Sequence, residues 1–332
     1  MPRSGAVIVS SKRKKNYLIN GGFDLFQRGG TTSSGNVYIP DRWRIDNTQS
    51  NTTSRQTAGA PLGSIFYSQT AFALNGAMQF FQALEDFWVN ELKTKQVTFS
   101  FLLRRSSDFV GDIEVRVQKN ATPNSSIGGS WSNIDTLTID NADIPERTPA
   151  QEDWVRFSKT ITVPNDGSAN GLRFNFTTGS LQPVGAILEI AQCMANKGPD
   201  PAPFELAGRN LAEELALCQR YFEKSYDVNT APGTPTTIIN TGFAFNITGS
   251  AATADPQIFF ITEKRTVPNM VGYNPNSGAI GTARLNTGAD ASLTVGFSNS
   301  IHSPGSKVFV AVVVGVGGSS SGGFHWTADA EI

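Results

Sequence analysis

The sequence predicts an all-β fold: an N-terminal jelly-roll β-sandwich, one connecting helix and a smaller C-terminal β-domain. Many short segments alternate apolar and polar residues with period two, as strands with one buried face do. Turn-forming clusters such as residues 164–167 separate these segments. A parallel sheet would show continuous apolar runs with helices between them. An antiparallel sandwich is therefore favoured, with a jelly roll as the architecture.

Length and charge limit the classes of function. The 332 residues fit two domains of ordinary size. With 27 Lys and Arg against 28 Asp and Glu, the net charge of -1 favours neither nucleic acid nor an anionic membrane. The apolar run 308–316 is too short to span a bilayer. We therefore expect no nucleic-acid partner and no membrane insertion.

The first fifteen residues predict a flexible basic arm, because they end in a run of cations: Lys12, Arg13, Lys14 and Lys15. The run follows the weakly apolar start instead of preceding it, which is unlike a secretory signal. Two interpretations stay open. Residues 1–15 are either a disordered terminus or an anchor that orders against an acidic surface of a partner protein.

The region 16–204 contains the strands of the predicted sandwich. Alternating segments lie at 96–103, 112–118, 154–163, 172–176 and 186–191. In the first two, the residues expected to face the core are Val97, Phe99, Phe101, Leu103, Ile113, Val115 and Val117. Trp43 and Trp154 are expected in the core as well.

A connecting helix is predicted over 205–230, with its apolar pattern running from Glu205 to Tyr226. Leu211, Leu215, Cys218 and Phe222 follow one another at spacings of four, three and four residues, which gives an apolar stripe. In the C-terminal domain, 231–332, strands are predicted at 238–248, 257–262, 291–297 and 307–314, with the Gly-rich stretch 314–323 as a loop. A β-domain of this size often associates to bury enough apolar surface.

The sequence gives no pattern typical of an enzyme. His302 and His325 have no Cys or His at metal-ligand spacing, and neither a phosphate-binding loop nor a Gly-x-Ser-x-Gly elbow occurs. The acidic clusters 85–86, 140–143 and 152–153 lie in predicted loops. We therefore expect no enzymatic activity. Cys193 and Cys218 are expected to be two buried thiols, with a single bridge as the alternative.

Exposed aromatic rings are the candidates for ligand contact. Trp131 lies in a Gly/Ser loop and Trp88 among polar neighbours, so either ring could stack on the apolar face of a sugar. Asp86, beside Trp88, could accept hydrogen bonds from sugar hydroxyls. The alternative for each Trp is an ordinary core or loop position.

Four segments carry a resemblance to a known class of proteins. They are NYLINGGFDLFQRG at 16–29, YIPDRWR at 38–44, LCQRYFEKSY at 217–226 and WTADAEI at 326–332. Together they resemble bacteriophage fibre and spike proteins that carry a carbohydrate-binding-module-like jelly roll. The resemblance implies a virion structural protein on the exterior of the phage particle, synthesised in the host cytoplasm. It also implies a homotrimer whose partners are a capsid, tail or baseplate protein and host-surface polysaccharide.

The resemblance also bears on individual residues. It implies a structural Ca²⁺ held by Asp24 in the opening strand and Glu189 in the closing strand. The alternative is that Asp24 only caps a turn. Arg28, Arg42 and Arg44, which surround Trp43, are interpreted as bracing for the first corner of the sandwich. Two rival functions remain: a capsid cement or decoration protein that binds no sugar, and a glycan-depolymerising tailspike.

Overall fold

The computed structural model confirms the all-β fold. It describes residues 13–29, 32–73, 75–123, 130–148, 153–236, 243–247, 253–295, 306–314 and 320–331. The N-terminal domain is built on one continuous antiparallel hydrogen-bonded path. Its strands are β1 Thr32–Tyr38, β2 Arg44–Gln56, β3 Tyr67–Phe72, β4 Met78–Leu84, β5 Gln96–Arg105, β6 Ile113–Asn120, β7 Ser132–Ile139, β8 Val155–Thr162, β9 Gly171–Thr178 and β10 Ile187–Lys197.

The strand order makes this path a two-layer sandwich. The long strand β2 pairs with β4 through residues 44–47 and with β3 through residues 51–56, so it belongs to both layers. The first layer has the order β7-β6-β9-β4-β2, and the second has the order β2-β3-β10-β5-β8. Both layers turn an apolar face inward, so the apolar residues that alternate along each strand are buried between the layers.

Aromatic rings from the two layers fill the core between them. Phe99 on β5 lies 4.7 Å from Phe174 on β9, and Phe101 lies 4.8 Å from Phe176, measured between ring centroids. Trp43 is fully buried and stacks on Phe80 at 5.0 Å. The inward residues predicted on β5 and β6 all lie in the main core, as expected. On β5 the intervening residues Thr98, Ser100 and Leu102 are buried as well, so this strand is covered on both faces.

The helical prediction was wrong in extent. A short helix, α1 Asp86–Leu92, follows β4, and the connecting region forms only α2 Leu211–Gln219. Asn210 caps α2 by accepting a hydrogen bond from the Glu213 backbone N–H. The chain then leaves the helix, and Phe222 lies in a strand instead of on the apolar stripe. Pairing of this strand with the C-terminal sheet outweighs the helical pattern.

The C-terminal domain is a second antiparallel sheet system. Its strands are β11 Phe222–Lys224, β12 Phe243–Ile247, β13 Thr253–Ala254, β14 Gln257–Phe259, β15 Asn269–Tyr273, β16 Thr282–Leu285, β17 Asp290–Val295, β18 Val308–Val314 and β19 Ser320–Asp329. The last strand pairs with β11, β12, β15 and β16. The end of the predicted Gly-rich loop therefore belongs to β19, where Gly322 allows a close approach to the backbone of Arg284.

Buried ion pairs join the two domains. Arg42 binds the Glu331 carboxylate, and Arg28 lies 3.3 Å from Glu331 and 3.6 Å from Asp41. The Arg42 guanidinium also lies 3.4 Å from the centroid of the Tyr221 ring. Arg28 and Arg42 therefore brace the sandwich against the C-terminal sheet, and not only its first corner as the sequence had suggested.

Two further expectations concern the cysteines and the membrane. Cys193 and Cys218 are both free and buried, which confirms two separate thiols. Burial raises the pKa of each thiol well above its usual value, so neither is an activated nucleophile. Neither of the α-helices in the described ranges has the length and apolarity needed to cross a membrane.

Candidate functional site

The outward face of the first sandwich layer is densely polar. Because Ile45, Phe80, Val115 and Phe174 point into the core, the residues that alternate with them on β2, β4, β6 and β9 point outward. We call this surface the polar face. It comprises Arg44, Asp46, Gln79, Phe81, Glu114, Arg116, Gln118, Arg173, Asn175 and Thr177.

Strand register arranges these residues in three rows across the layer. Paired residues of neighbouring strands lie about 5 Å apart, so each row is a continuous strip of side chains. The rows are Arg44–Phe81–Asn175–Arg116, Asp46–Gln79–Thr177–Glu114 and Ala83–Arg173–Gln118.

Hydrogen bonds between amides fix the orientation of the central side chains. Asn175 Nδ2 donates to Gln79 Oε1 at 3.0 Å and to Gln118 Oε1 at 3.3 Å. Gln118 Nε2 donates in turn to Asn133 Oδ1 on β7 at 2.9 Å. Asn175 is fully buried, and its Oδ1 atom has no hydrogen-bond partner within the described part of the chain. The central amides are therefore held in fixed orientations, and one buried acceptor, Asn175 Oδ1, is left without a partner in this part of the chain.

The charges of the polar face do not balance. Arg44 Nε lies 2.6 Å from Asp46 Oδ1, and Arg116 Nε donates to Glu114 Oε2 at 2.8 Å. Arg173, by contrast, pairs with no carboxylate in the described ranges, and its Nε donates to Gln118 Oε1 at 2.6 Å. Burial lowers the pKa of Arg173 to about 10, because its charge is taken out of water. The carboxylate of Asp46 opposes this shift, whereas the neighbouring cations Arg44 and Arg116 add to it.

Two aromatic rings hold the Arg173 guanidinium. Its central carbon lies 4.6 Å from the centroid of Phe81 and 4.8 Å from that of Trp131, both within the range of a cation–π interaction. Gly171 leaves room for the Trp131 ring, since a Cβ there would come within 3.2 Å of Trp131 Cη2. Its loop context had suggested a ring held out in solvent. The Trp131 ring is instead partly buried against the sheet.

The other predicted ligand residues lie elsewhere. Asp86 and Trp88 belong to helix α1, where the Trp88 ring packs edge-on against Tyr17 at 5.8 Å. Lys15 Nζ lies 3.4 Å from the centroid of Trp88. Trp88 therefore contacts Tyr17 and Lys15, whereas Trp131 contacts Arg173 of the polar face.

The described part of the basic arm contacts the protein itself. Arg13 Nε lies 3.3 Å from Glu205, Lys14 Nζ donates to the Asp200 carbonyl at 3.2 Å, and Lys15 Nζ lies 3.3 Å from Glu91. Residues 1–12, which include Lys12, lie outside the described residues. Binding of a partner by this arm stays a prediction.

The structure does not gather the residues predicted to hold calcium. Glu189 is fully buried and accepts hydrogen bonds from Arg104 and, at 2.6 Å, from Gln69. Asp24 lies apart from that network, where Arg55 donates to its backbone carbonyl. No group of three or more His, Cys, Asp or Glu able to hold a metal occurs in the described ranges. Calcium is bound by six to eight oxygens, and the described residues do not assemble such a set around Asp24 and Glu189.

Comparisons with known proteins give distant structural matches. No protein-family model and no curated protein sequence matches the chain. Bacteriophage CBA120 tailspike protein 4, as its enzymatically active domain, matches at 14% identity and a TM-score of 0.36, covering 55% of this chain and 21% of its own. The chain therefore spans only about a fifth of that tailspike domain.

Some carbohydrate-binding modules match over nearly their whole length. TmCBM61, solved with β-1,4-galactotriose, has 13% identity and a TM-score of 0.35 over 55% of this chain and 99% of its own. The C-terminal family 22 module of Clostridium thermocellum Xyn10B has 11% identity and a TM-score of 0.32 over 49% and 89%. At these similarities the ligands of those proteins are not carried over to this chain.

Sequence reasoning missed most of the polar face, although one signal was available. The alternation at 172–176 places Phe174 inward, which implies that Arg173 and Asn175 point outward on the same strand. What the sequence does not contain is the strand order. Only the neighbouring positions of β4, β9 and β6 bring Gln79, Asn175 and Gln118 together.

Proposed function

We propose that this protein binds glycan through the polar face and does not cleave it. One observation carries the proposal: amide, guanidinium and carboxylate groups lie in register on one sheet surface, with the Trp131 ring beside them. Sugar hydroxyls both donate and accept, and planar amide or guanidinium groups bind two atoms at once. An indole ring offers an apolar surface to the C–H face of a sugar.

The spacing of the carboxylates supports binding without hydrolysis. Asp46 and Glu114 are the two acidic residues of the polar face, and three strand spacings separate them. At ~4.8 Å for each spacing, their backbones lie roughly 14 Å apart. Glycosidases place their two carboxyl groups about 5–9.5 Å apart, which side chains on these two strands would reach only by extending towards each other. Both acids are also paired with an arginine of the same strand.

The proposed biological role is attachment of a phage particle to host-surface glycan. Its support is the resemblance of the segments at 16–29, 38–44, 217–226 and 326–332 to phage fibre and spike proteins. Self-association as a trimer is part of the same proposal. Phe259 and Ile261, exposed by 69% and 80%, offer apolar surface for it in the C-terminal domain.

A glycan array tests the binding, and light scattering tests the assembly. The full chain should bind a subset of bacterial surface glycans, and the Gln79→Ala variant should bind them about tenfold more weakly, because a fixed amide is lost from the polar face. Gln56→Ala, a change of the same type on β2 away from the polar face, is the matched control.

The rival functions give different results in the same experiments. A depolymerising spike would release reducing ends from the bound polysaccharide, whereas we expect none. A cement protein would leave the array blank while still binding particles. A stable monomer without affinity for virions would overturn the attachment role but not the sugar binding.

A further inference from the structure

The polar face contains one buried cation, Arg173, that forms no ion pair with a carboxylate of the described residues. The two carboxylates of the face, Asp46 and Glu114, form ion pairs with Arg44 and Arg116. Arg173 is only 9% exposed. A buried guanidinium without a contacting anion is costly. Among the described residues its direct contacts are two rings and one amide oxygen, and the more distant charge of Asp46 is opposed by the cations Arg44 and Arg116. The face therefore has an excess positive charge at a fixed point.

The geometry leaves one edge of this guanidinium for a ligand. The Phe81 and Trp131 rings contact Arg173, and its Nε atom is used by Gln118. The two terminal amino groups make no hydrogen bond within the described part of the chain. They form a planar edge with two donors, which matches a carboxylate and can donate two parallel hydrogen bonds to its oxygens.

We infer that the glycan bound on the polar face carries a carboxylate, as hexuronate units do, and that Arg173 recognises that group. This inference rests on the proposed glycan binding and adds the chemical class of the sugar. A neutral sugar would desolvate Arg173 further and leave its charge uncompensated. A carboxylated sugar would supply the missing anion next to Trp131, where the ring can contact the same sugar unit.

The test compares two forms of one ligand. The probes are hexuronate-containing bacterial capsular oligosaccharides, each measured before and after chemical reduction of the carboxyl group to an alcohol. Wild-type protein should bind the acidic form at least tenfold more tightly, because a charge-assisted bidentate contact is lost on reduction. Arg173→Gln should bind both forms equally. Arg209→Gln, which removes a highly exposed guanidinium from the surface, should keep the wild-type preference.

The outcomes separate this inference from the proposed function. Equal wild-type affinity for the acidic and reduced forms overturns the role of the carboxylate while glycan binding stands. A preference that persists in Arg173→Gln overturns the assignment to Arg173. Failure to bind any glycan, acidic or neutral, overturns the proposed function itself. The wild-type comparison does not depend on whether a variant folds.

Discussion

Replacing Glu331 by Gln should show how strongly the two domains are held together. The Glu331 side chain is 5% exposed and neutralises Arg42, which is 2% exposed, while Arg28 also lies within 3.3 Å. Gln keeps the volume but removes the charge, so Arg42 loses its carboxylate partner inside the protein. Breaking a buried ion pair in this way costs about 3–5 kcal/mol. We expect about 3 kcal/mol, since the Gln carbonyl can still accept a hydrogen bond.

The assay is urea denaturation of wild type and variant, monitored by tryptophan fluorescence. The matched control is Glu263→Gln, which removes a carboxylate that is 54% exposed and 3.6 Å from Lys307. Exposed pairs contribute about 0–1 kcal/mol, so this control should stay close to wild type. Equal losses for the two variants, or no loss for Glu331→Gln, would refute the view that buried charge pairs join the domains.

Three further predictions concern protonation, thiol access and packing. Burial lowers the pKa of His325 to about 4, so its NMR signals should show a neutral ring at pH 5. In the unfolded chain the ring protonates near pH ~6.5. The stability that the neutral ring contributes should therefore be lost as the pH falls from about 6.5 towards 4. His325→Gln should remove that part of the pH dependence. Cys193 and Cys218 are buried and free, so a thiol reagent should modify neither until urea unfolds the protein, and fast reaction in buffer would contradict their placement. Phe99→Ala should lower the free energy of unfolding by about 3–5 kcal/mol because it leaves a cavity in the core, whereas the same change at the exposed Phe87 should cost far less; similar losses would argue against the sandwich core.

The strands could be predicted where apolar and polar residues alternate in the sequence. Val97, Phe99 and Phe101 alternate with polar residues, and that period is enough to place them in the core. The extent of the connecting helix could not be predicted in the same way. Phe222 continues a helical stripe in the sequence but pairs with β19, a strand about a hundred residues later. Such non-local pairing overrides a local pattern.

In the candidate site too, a local feature could be predicted from the sequence whereas the non-local contacts could not. Trp131 could be selected because aromatic rings near turns are candidates for ligand contact. Its partner Arg173 lies about forty residues away in the sequence, and only the strand order and register of the first layer bring the two together. A shift of one residue in register would turn Arg173 and Asn175 into the core. The ligand-binding role of Trp88 and Asp86 stays a prediction.

Fluorine NMR of protein labelled with 5-fluorotryptophan tests the central claim most directly. The chain has five Trp, and Trp131→Phe and Trp88→Phe variants would assign the two relevant signals. Titration with a glycan selected on the array should shift the Trp131 signal in proportion to saturation and leave the Trp88 signal unchanged. A shift at Trp88 alone, or saturation with no change at Trp131, would contradict glycan binding on the polar face.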